Sequence, residues 1–445
     1  MKRLTCLGTA CLFALCRTAF AADGDPDLTF STDGEALVSW PYSIFGVVVA
    51  IAADGSIFHA ATEAREGDVE VNLDFAVSKF RPNGTLDTSF GFLGQRSVGF
   101  DVIEEGDDSL LGAFALPNGG VLLAGTVDLD PVNFTYGAPG LIRLTADGDA
   151  DPSFGDNGRR YIPQTPLIDA DDLDLNAVAM QPDGKLVFAG DCFSCEGGHL
   201  VVALRVTANG TVDSTFGDDG WSIFVTEEHV EISSLAIDPW GRAVLGGSAE
   251  TDEEPDDRPW LMRLTPSGHP DPAFGNGSGF SFLAGVPSAG GDWRTPAIAI
   301  DADGSIVLAL DNAGAGVARA RADGSLDTTF ANGGFRDMVR EDGAEMRAVA
   351  IRGDHRIVVA GGINHTGGDY DTYVGRLLAD GTLDSDFDSN GVIRINMIAG
   401  ADESANAIAF SAGRPVIVGG GGADRDTGTV LRLQSDLIFA DGCGN

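Results

Sequence analysis

A seven-residue pattern, Gly-x-x-Asp-x-x-Phe, occurs seven times along the chain, and no other feature restricts the fold so tightly. Its phenylalanines are Phe30, Phe90, Phe154, Phe216, Phe274, Phe330 and Phe387, at intervals of 60, 64, 62, 58, 56 and 57 residues. Its glycines are Gly24, Gly84, Gly148, Gly210, Gly268, Gly324 and Gly381, and its acids are Asp27, Asp87, Asp151, Asp213, Asp271, Asp327 and Asp384. Self-similarity at a steady period marks a repeat architecture, in which each unit buries its apolar face against its neighbours. The residue types have a structural reason: glycine takes a left-handed turn position, aspartate accepts from nearby amides, and phenylalanine plugs the turn into a core.

Each unit reads as four short strands. In the fourth unit these are Trp221 to Val225, Ile232 to Asp238, Ala243 to Gly247 and Trp260 to Thr265. A tight Pro239-Trp240-Gly241 turn joins the second to the third, matched by Pro182-Asp183-Gly184, Ala53-Asp54-Gly55 and Ala302-Asp303-Gly304, which is a hairpin signature. His355 replaces that glycine in the sixth unit and Arg414 in the seventh. The third strands are apolar on both faces and end in small residues, although Asp311-Asn312 interrupts the fifth. Strands buried on both faces suit sheets stacked around a crowded axis. The expected fold is all-β: a single seven-bladed β-propeller of four-stranded antiparallel blades, over residues 22–436.

Arg143-Leu144 through Phe154-Gly155, followed by Ala177 through Lys185, resembles the delta-60 repeat proteins, whose units carry an Arg-Leu-x-x-Asp-Gly-x-Leu-Asp-x-x-Phe-Gly stretch and an Ala-Val-Ala-x-Gln-Pro-Asp-Gly-Lys strand and turn. The likeness spans about residues 24 to 436, with Ala331 and Asp388 standing where glycine usually follows the phenylalanine. The resemblance implies propeller blades and export, and no established activity.

Lys2 and Arg3 precede an apolar stretch from Leu4 to Cys16, and Ala19-Phe20-Ala21 has the small residues of a signal peptidase site. Residues 1–21 are therefore expected to be removed, giving an exported protein, extracellular or periplasmic. Leu15 before Cys16 argues against a lipid anchor, and no later run is apolar enough to span a bilayer. Residues 437–445 form a tail beyond the last repeat, and a monomer is expected. With 28 Lys+Arg against 67 Asp+Glu, the charge of −39 disfavours nucleic acid or an anionic membrane as partner, since either needs a basic face.

In an antiparallel four-stranded unit the connections alternate between the two sides of the disc. The two turns then share one face, and the first and third connections, variable in length, share the other. Those variable loops hold 37 of the 67 acids and five arginines. Two readings of the resulting negative field are open: solubility outside the cell, or attraction of a cationic ligand. Asp169, Asp171, Asp172 and Asp174, with Asp252, Glu253 and Glu254, are the candidates for calcium, which takes six to eight oxygens, although neither run has EF-hand spacing. Cys192 and Cys195 fall in one such loop and, in an exported protein, are expected to form a local disulfide. No nucleophile elbow, zinc-binding helix or phosphate loop is present, and the six histidines share no spacing. The expected function is thus non-enzymatic binding of a protein, glycan or cation through the acidic loops. The alternative is an extracellular hydrolase or lyase with carboxylates at an axial pocket.

Five residues before each motif glycine stands a base, and eight residues after that base stands the motif acid. The pairs are Lys79 with Asp87, Arg143 with Asp151, Arg205 with Asp213, Arg263 with Asp271, Arg319 with Asp327 and Arg376 with Asp384. Arg432 has Ala440 at that offset, while Asp27 opens the chain with no strand before it. The sequence therefore predicts that Asp27 pairs with Arg432, and that Glu35 to Trp40 docks near Val430 to Leu433 to close the ring.

Overall fold

Hairpin turns after alternating, half-buried segments build seven antiparallel sheets of four strands each. The structure is a computed structural model that describes residues 22–66, 71–100, 102, 106–129, 137–163, 173–192, 198–226, 229–251, 254–286, 294–312, 314–339, 344–364 and 369–435. Strand β1 (Glu35–Ser39) comes first in sequence. Blade 1 is β2 (Ser43–Ile51), β3 (Ile57–Glu66), β4 (Val71–Phe80) and β5 (Gln95–Val98). Blade 2 is β6 (Asp108–Ala115), β7 (Val121–Val127), β8 (Ala138–Leu144) and β9 (Arg159–Tyr161), and blade 3 is β10 (Leu173–Met180), β11 (Leu186–Cys192), β12 (His199–Val206) and β13 (Trp221–Thr226). Blade 4 is β14 (His229–Ile237), β15 (Ala243–Thr251), β16 (Glu254–Arg263) and β17 (Phe280–Phe282), and blade 5 is β18 (Arg294–Ile300), β19 (Ile306–Asn312), β20 (Gly314–Ala320) and β21 (Phe335–Val339). Blade 6 is β22 (Ala344–Ile351), β23 (Ile357–Asn364), β24 (Tyr370–Leu377) and β25 (Val392–Ile395). Blade 7 joins β26 (Glu403–Ser411), β27 (Arg414–Gly421) and β28 (Thr427–Arg432) to β1. The fold is a seven-bladed β-propeller.

Three details depart from the sequence reading. The segment expected to open the fourth unit, β13, pairs instead with β12, so each blade takes three strands of one repeat and the first strand of the next. The motif turn is the reason: it folds the chain straight back onto the strand it has left, and only the following connection crosses to the next blade. Asp311 and Asn312 do not interrupt β19, because both continue the ladder opposite Ala315 and Gly314. In the seventh unit the glycine of the hairpin turn is not lost to Arg414; Ser411 pairs with Arg414 around a two-residue Ala412-Gly413 turn.

Ring closure follows from the offset. Strand β1 lies antiparallel on β28 with Glu35 opposite Leu431 and Ser39 opposite Thr427, so the last blade is completed by the beginning of the chain. An open ring would instead leave two unpaired edges, a template for association. The first strands of the blades pack against one another around the axis. The second strands are buried on both faces, as in Val121–Val127 and Ile357–Asn364. Each first strand carries a register shift against its neighbour at the same level, including Phe45/Val48 in blade 1, Met346/Ala348 in blade 6 and Ala405/Ala407 in blade 7. Among the described residues no helix is long and apolar enough to cross a membrane.

Candidate functional site

The two faces of the disc use their polar residues differently. On the face of the hairpin turns, all seven motif phenylalanines are at most 2% exposed. A motif arginine lies over the ring in six blades, at 4.6–4.8 Å from guanidinium carbon to ring centre. The same arginines meet the motif aspartate at 2.6–2.8 Å, from Arg143–Asp151 through Arg205–Asp213, Arg263–Asp271, Arg319–Asp327 and Arg376–Asp384 to Arg432–Asp27. The other carboxylate oxygen accepts the backbone N–H two residues on, Thr29 for Asp27 and Ser153 for Asp151. A third arginine nitrogen reaches the next blade: Arg205 donates to the Pro266 carbonyl at 2.5 Å and Arg432 to the Pro82 carbonyl at 2.6 Å. A planar fork can satisfy a carboxylate, a ring face and a neighbour's carbonyl together.

Lys79 cannot, and the structure does not place it in a salt bridge with Asp87. Its single ammonium donates forward to the carbonyls of Gly119 (3.3 Å) and Ala146 (3.1 Å), while Asp87 is held by Arg81 at 2.8 Å. Sequence reasoning also missed a second ring of bases, in the residue that follows the hairpin-turn position. Lys185 meets Asp213 at 3.1 Å, Arg242 meets Asp271 at 2.8 Å, Arg356 meets Asp384 at 2.9 Å and Arg414 meets Asp27 at 2.8 Å. The signal was present as a basic residue after each of these turns.

Successive motifs also touch. A Cβ on Gly84 would sit 2.7 Å from the Ser31 amide nitrogen and 2.9 Å from the Phe30 ring, and one on Gly24 would sit 2.9 Å from the Phe387 ring. The segment from Asp23 to Asp27 is thereby locked twice, since Arg376 of blade 6 pairs with Asp23 as well as with Asp384. This face is committed to holding the ring.

The opposite, loop face carries a cleft of about 340 Å³ where blades 6, 7 and 1 meet. Its walls include the bulge residues of those three blades: Arg347, Asn406 and the Gly46-Val47 pair. Bulges re-aim side chains out of the pleat, which is why they gather beside sites. Glu345 holds Arg347 through its Nε at 2.8 Å. The Glu403 oxygens accept the Met397 and Ile398 amides, both at 2.7 Å, so this acid serves the loop although burial raises its pKa. Asp402 accepts the Tyr370 amide at 3.0 Å, and Phe45 stands 43% exposed at the rim.

Elsewhere in the loop-side half of blade 3, burial pushes Asp191 up to about 6, aided by the negative charges of Asp174 and Glu231 and opposed by the Ile232 amide and Asn176. Asp174, its cross-strand neighbour, is raised by desolvation. Of the calcium candidates, Asp169, Asp171, Asp172, Asp252 and Glu253 lie outside the described residues, and Glu254 begins β16 opposite Thr251. Among the described residues no three His, Cys, Asp or Glu side chains are grouped to hold a metal. Cys192 is disulfide-bonded and buried at the end of β11; Cys195 and Cys443 lie outside the described residues. Of the loop acids Glu104, Asp171, Glu227, Glu253 and Asp369, only Asp369 is described, just before β24 on the face opposite the Gly84 and Gly184 turns.

Four segments, residues 66–90, 116–154, 181–216 and 353–387, match the family described as "Domain of unknown function (DUF5122) beta-propeller". No curated protein matches in sequence. Similar solved structures include a glucose dehydrogenase, 13% identical, covering 90% of this chain and 96% of that one at a TM-score of 0.40. A Trypanosoma rangeli sialidase in complex with the inhibitor DANA is 10% identical and matches 90% of this chain, which spans 58% of the sialidase, at 0.40. A sialidase described as Hadza microbial is 9% identical, with 88% and 66% covered, at 0.42. Its seven sheets and its matched segments together make the chain a repeat β-propeller.

Proposed function

We propose that this is an exported, non-enzymatic binding protein of the delta-60 repeat type, cleaved after Ala21, that engages its partner through the loop face. The observation that carries the reading is the division of labour between the faces. The turn-face arginines and aspartates satisfy one another in a repeating network, whereas the variable connections carry 37 of the 67 acids in the sequence and the loop face offers the one cleft described above that draws on three blades. Charge on that scale favours cationic or polar partners and speeds encounter. Titration calorimetry with spermine and with calcium alone, together with a printed glycan array, tests the proposal. Saturable binding in any of the three supports it, and silence in all three refutes it. One observation favours the enzyme reading: Asp191, pushed up to about 6 beside Asp174, is a carboxyl poised to hold or release a proton near neutral pH. Loss of a hydrolase or lyase activity in Asp191→Asn, found after a substrate screen, would decide for it.

A further inference from the structure

Resting on the reading of the loop face as the binding face, we propose that the cleft between blades 6, 7 and 1 is a saccharide site for an uncharged glycan. The cleft exists because of what stands at the aligned bulges. Blades 2, 3 and 4 place Leu111, Asn176 and Ser233 there, but blade 1 places Gly46, with φ +61°, followed by the buried Val47. At the cleft blade 1 thus contributes a residue without a side chain, and blades 6 and 7 contribute Arg347 and Asn406.

The groups facing that space are the types a sugar needs. A hydroxyl both donates and accepts, so vicinal hydroxyls are matched by planar groups that offer donors beside acceptors. Arg347 is oriented by Glu345, which accepts from its Nε at 2.8 Å and from its Nη2. No hydrogen bond within the described residues uses the side-chain amide of Asn406 or the guanidinium of Arg425, and both line the cleft with Ser404. Phe45 supplies an exposed aromatic surface on the same wall for the C–H face of a sugar ring.

The charges argue for a neutral ligand. Glu345 and Arg347 cancel each other, Glu403 is spent on two backbone amides, and Asp402 shares the cleft with Arg425. With two arginines against three carboxylates, the lining carries charges of both signs and no strong excess of either to hold a polyanion or a polycation. The volume, about 340 Å³, lies at the small end of ligand pockets and admits a short stretch of glycan rather than a folded partner.

The test is a printed array of neutral, uronate-containing and sialylated glycans, with each hit quantified by calorimetry on the full mature protein. Asn406→Ala and Phe45→Ala should each weaken a neutral glycan at least tenfold with unchanged melting, while Asp183→Ala on the turn face leaves affinity unaltered. Arg347→Lys, which keeps the charge and loses the fork, should weaken it as well. A preference for acidic glycans, or hits indifferent to all three cleft variants, overturns the saccharide site. An array without neutral hits alongside binding of spermine or calcium overturns it too, yet leaves the binding face standing; silence everywhere removes both.

Discussion

Replacing Asp27 with alanine should open the ring at its one non-covalent seam. The Asp27 side chain is fully buried and holds five groups: Arg432 Nε at 2.7 Å, Arg414 Nη1 at 2.8 Å, the Thr29 hydroxyl at 2.7 Å, the Thr29 amide at 3.1 Å and Gln434 Nε2 at 2.8 Å. Removing one partner of a buried pair leaves the other charge uncompensated and costs roughly 3–5 kcal/mol. Arg432 is 8% exposed and bears the full loss, whereas Arg414, 34% exposed, recovers water. Asp151→Ala provides the internal comparison, because its pair with Arg143 has the same chemistry at 15% and 21% exposure and lies within one continuous stretch of chain. Its cost should be nearer about 1–2 kcal/mol, between that of a surface pair and a buried one. Urea denaturation followed by circular dichroism measures both, and Asp27→Ala combined with Arg432→Leu should recover part of the loss by removing the orphaned charge. Equal costs for the two aspartates would refute the reasoning about the seam. The same site sets an acid limb. Burial alone would push the Asp27 carboxyl up, but Thr29, Arg432 and Arg414 hold it below the ordinary carboxylate range. Its stabilisation is therefore complete above the unfolded value, about pH 4, and is lost as the pH falls through the folded value.

Gly84→Ala should cost about 2–4 kcal/mol, since it adds a clash with Phe30 and Ser31 to a left-handed backbone, whereas Gly241→Ala, with φ +79° and open space around it, should cost only the conformational term of about 1 kcal/mol. Thermal and urea melts compare them, and equal losses would dismiss motif-on-motif packing. Lys79→Arg should stabilise by up to about 1 kcal/mol by restoring the fork found in the other blades; a loss of stability would mean that blade 1 is built around the ammonium. Asp191→Asn should stabilise the protein at neutral pH. A carboxyl raised to about 6 favours the protonated fold, so the wild type loses stability as the pH rises from about 4 through 6, by an amount on the order of 1–3 kcal/mol, and the variant should not.

The blade number and the seam were legible in the sequence because both are written within short stretches. A turn that needs glycine, an acid and a buried ring repeats those letters wherever it occurs. The unpaired Arg432 and the strandless Asp27 are two halves of one such stretch, and the structure sets them 2.7 Å apart. What a strand pairs with is not written in that way. The tertiary structure alone decided that β13 stays with the blade it leaves, that Arg81 rather than Lys79 meets Asp87, and that the base after four of the hairpins reaches a motif aspartate. The cleft lies further still from any local signal. A bulge is a mismatch between two strands and has no residue code of its own, and Gly46 and Asn406 share a wall only because the ring has closed. Short-range chemistry fixed the units and their number, while the register between strands and the meeting of the chain's two ends fixed where a ligand could be held.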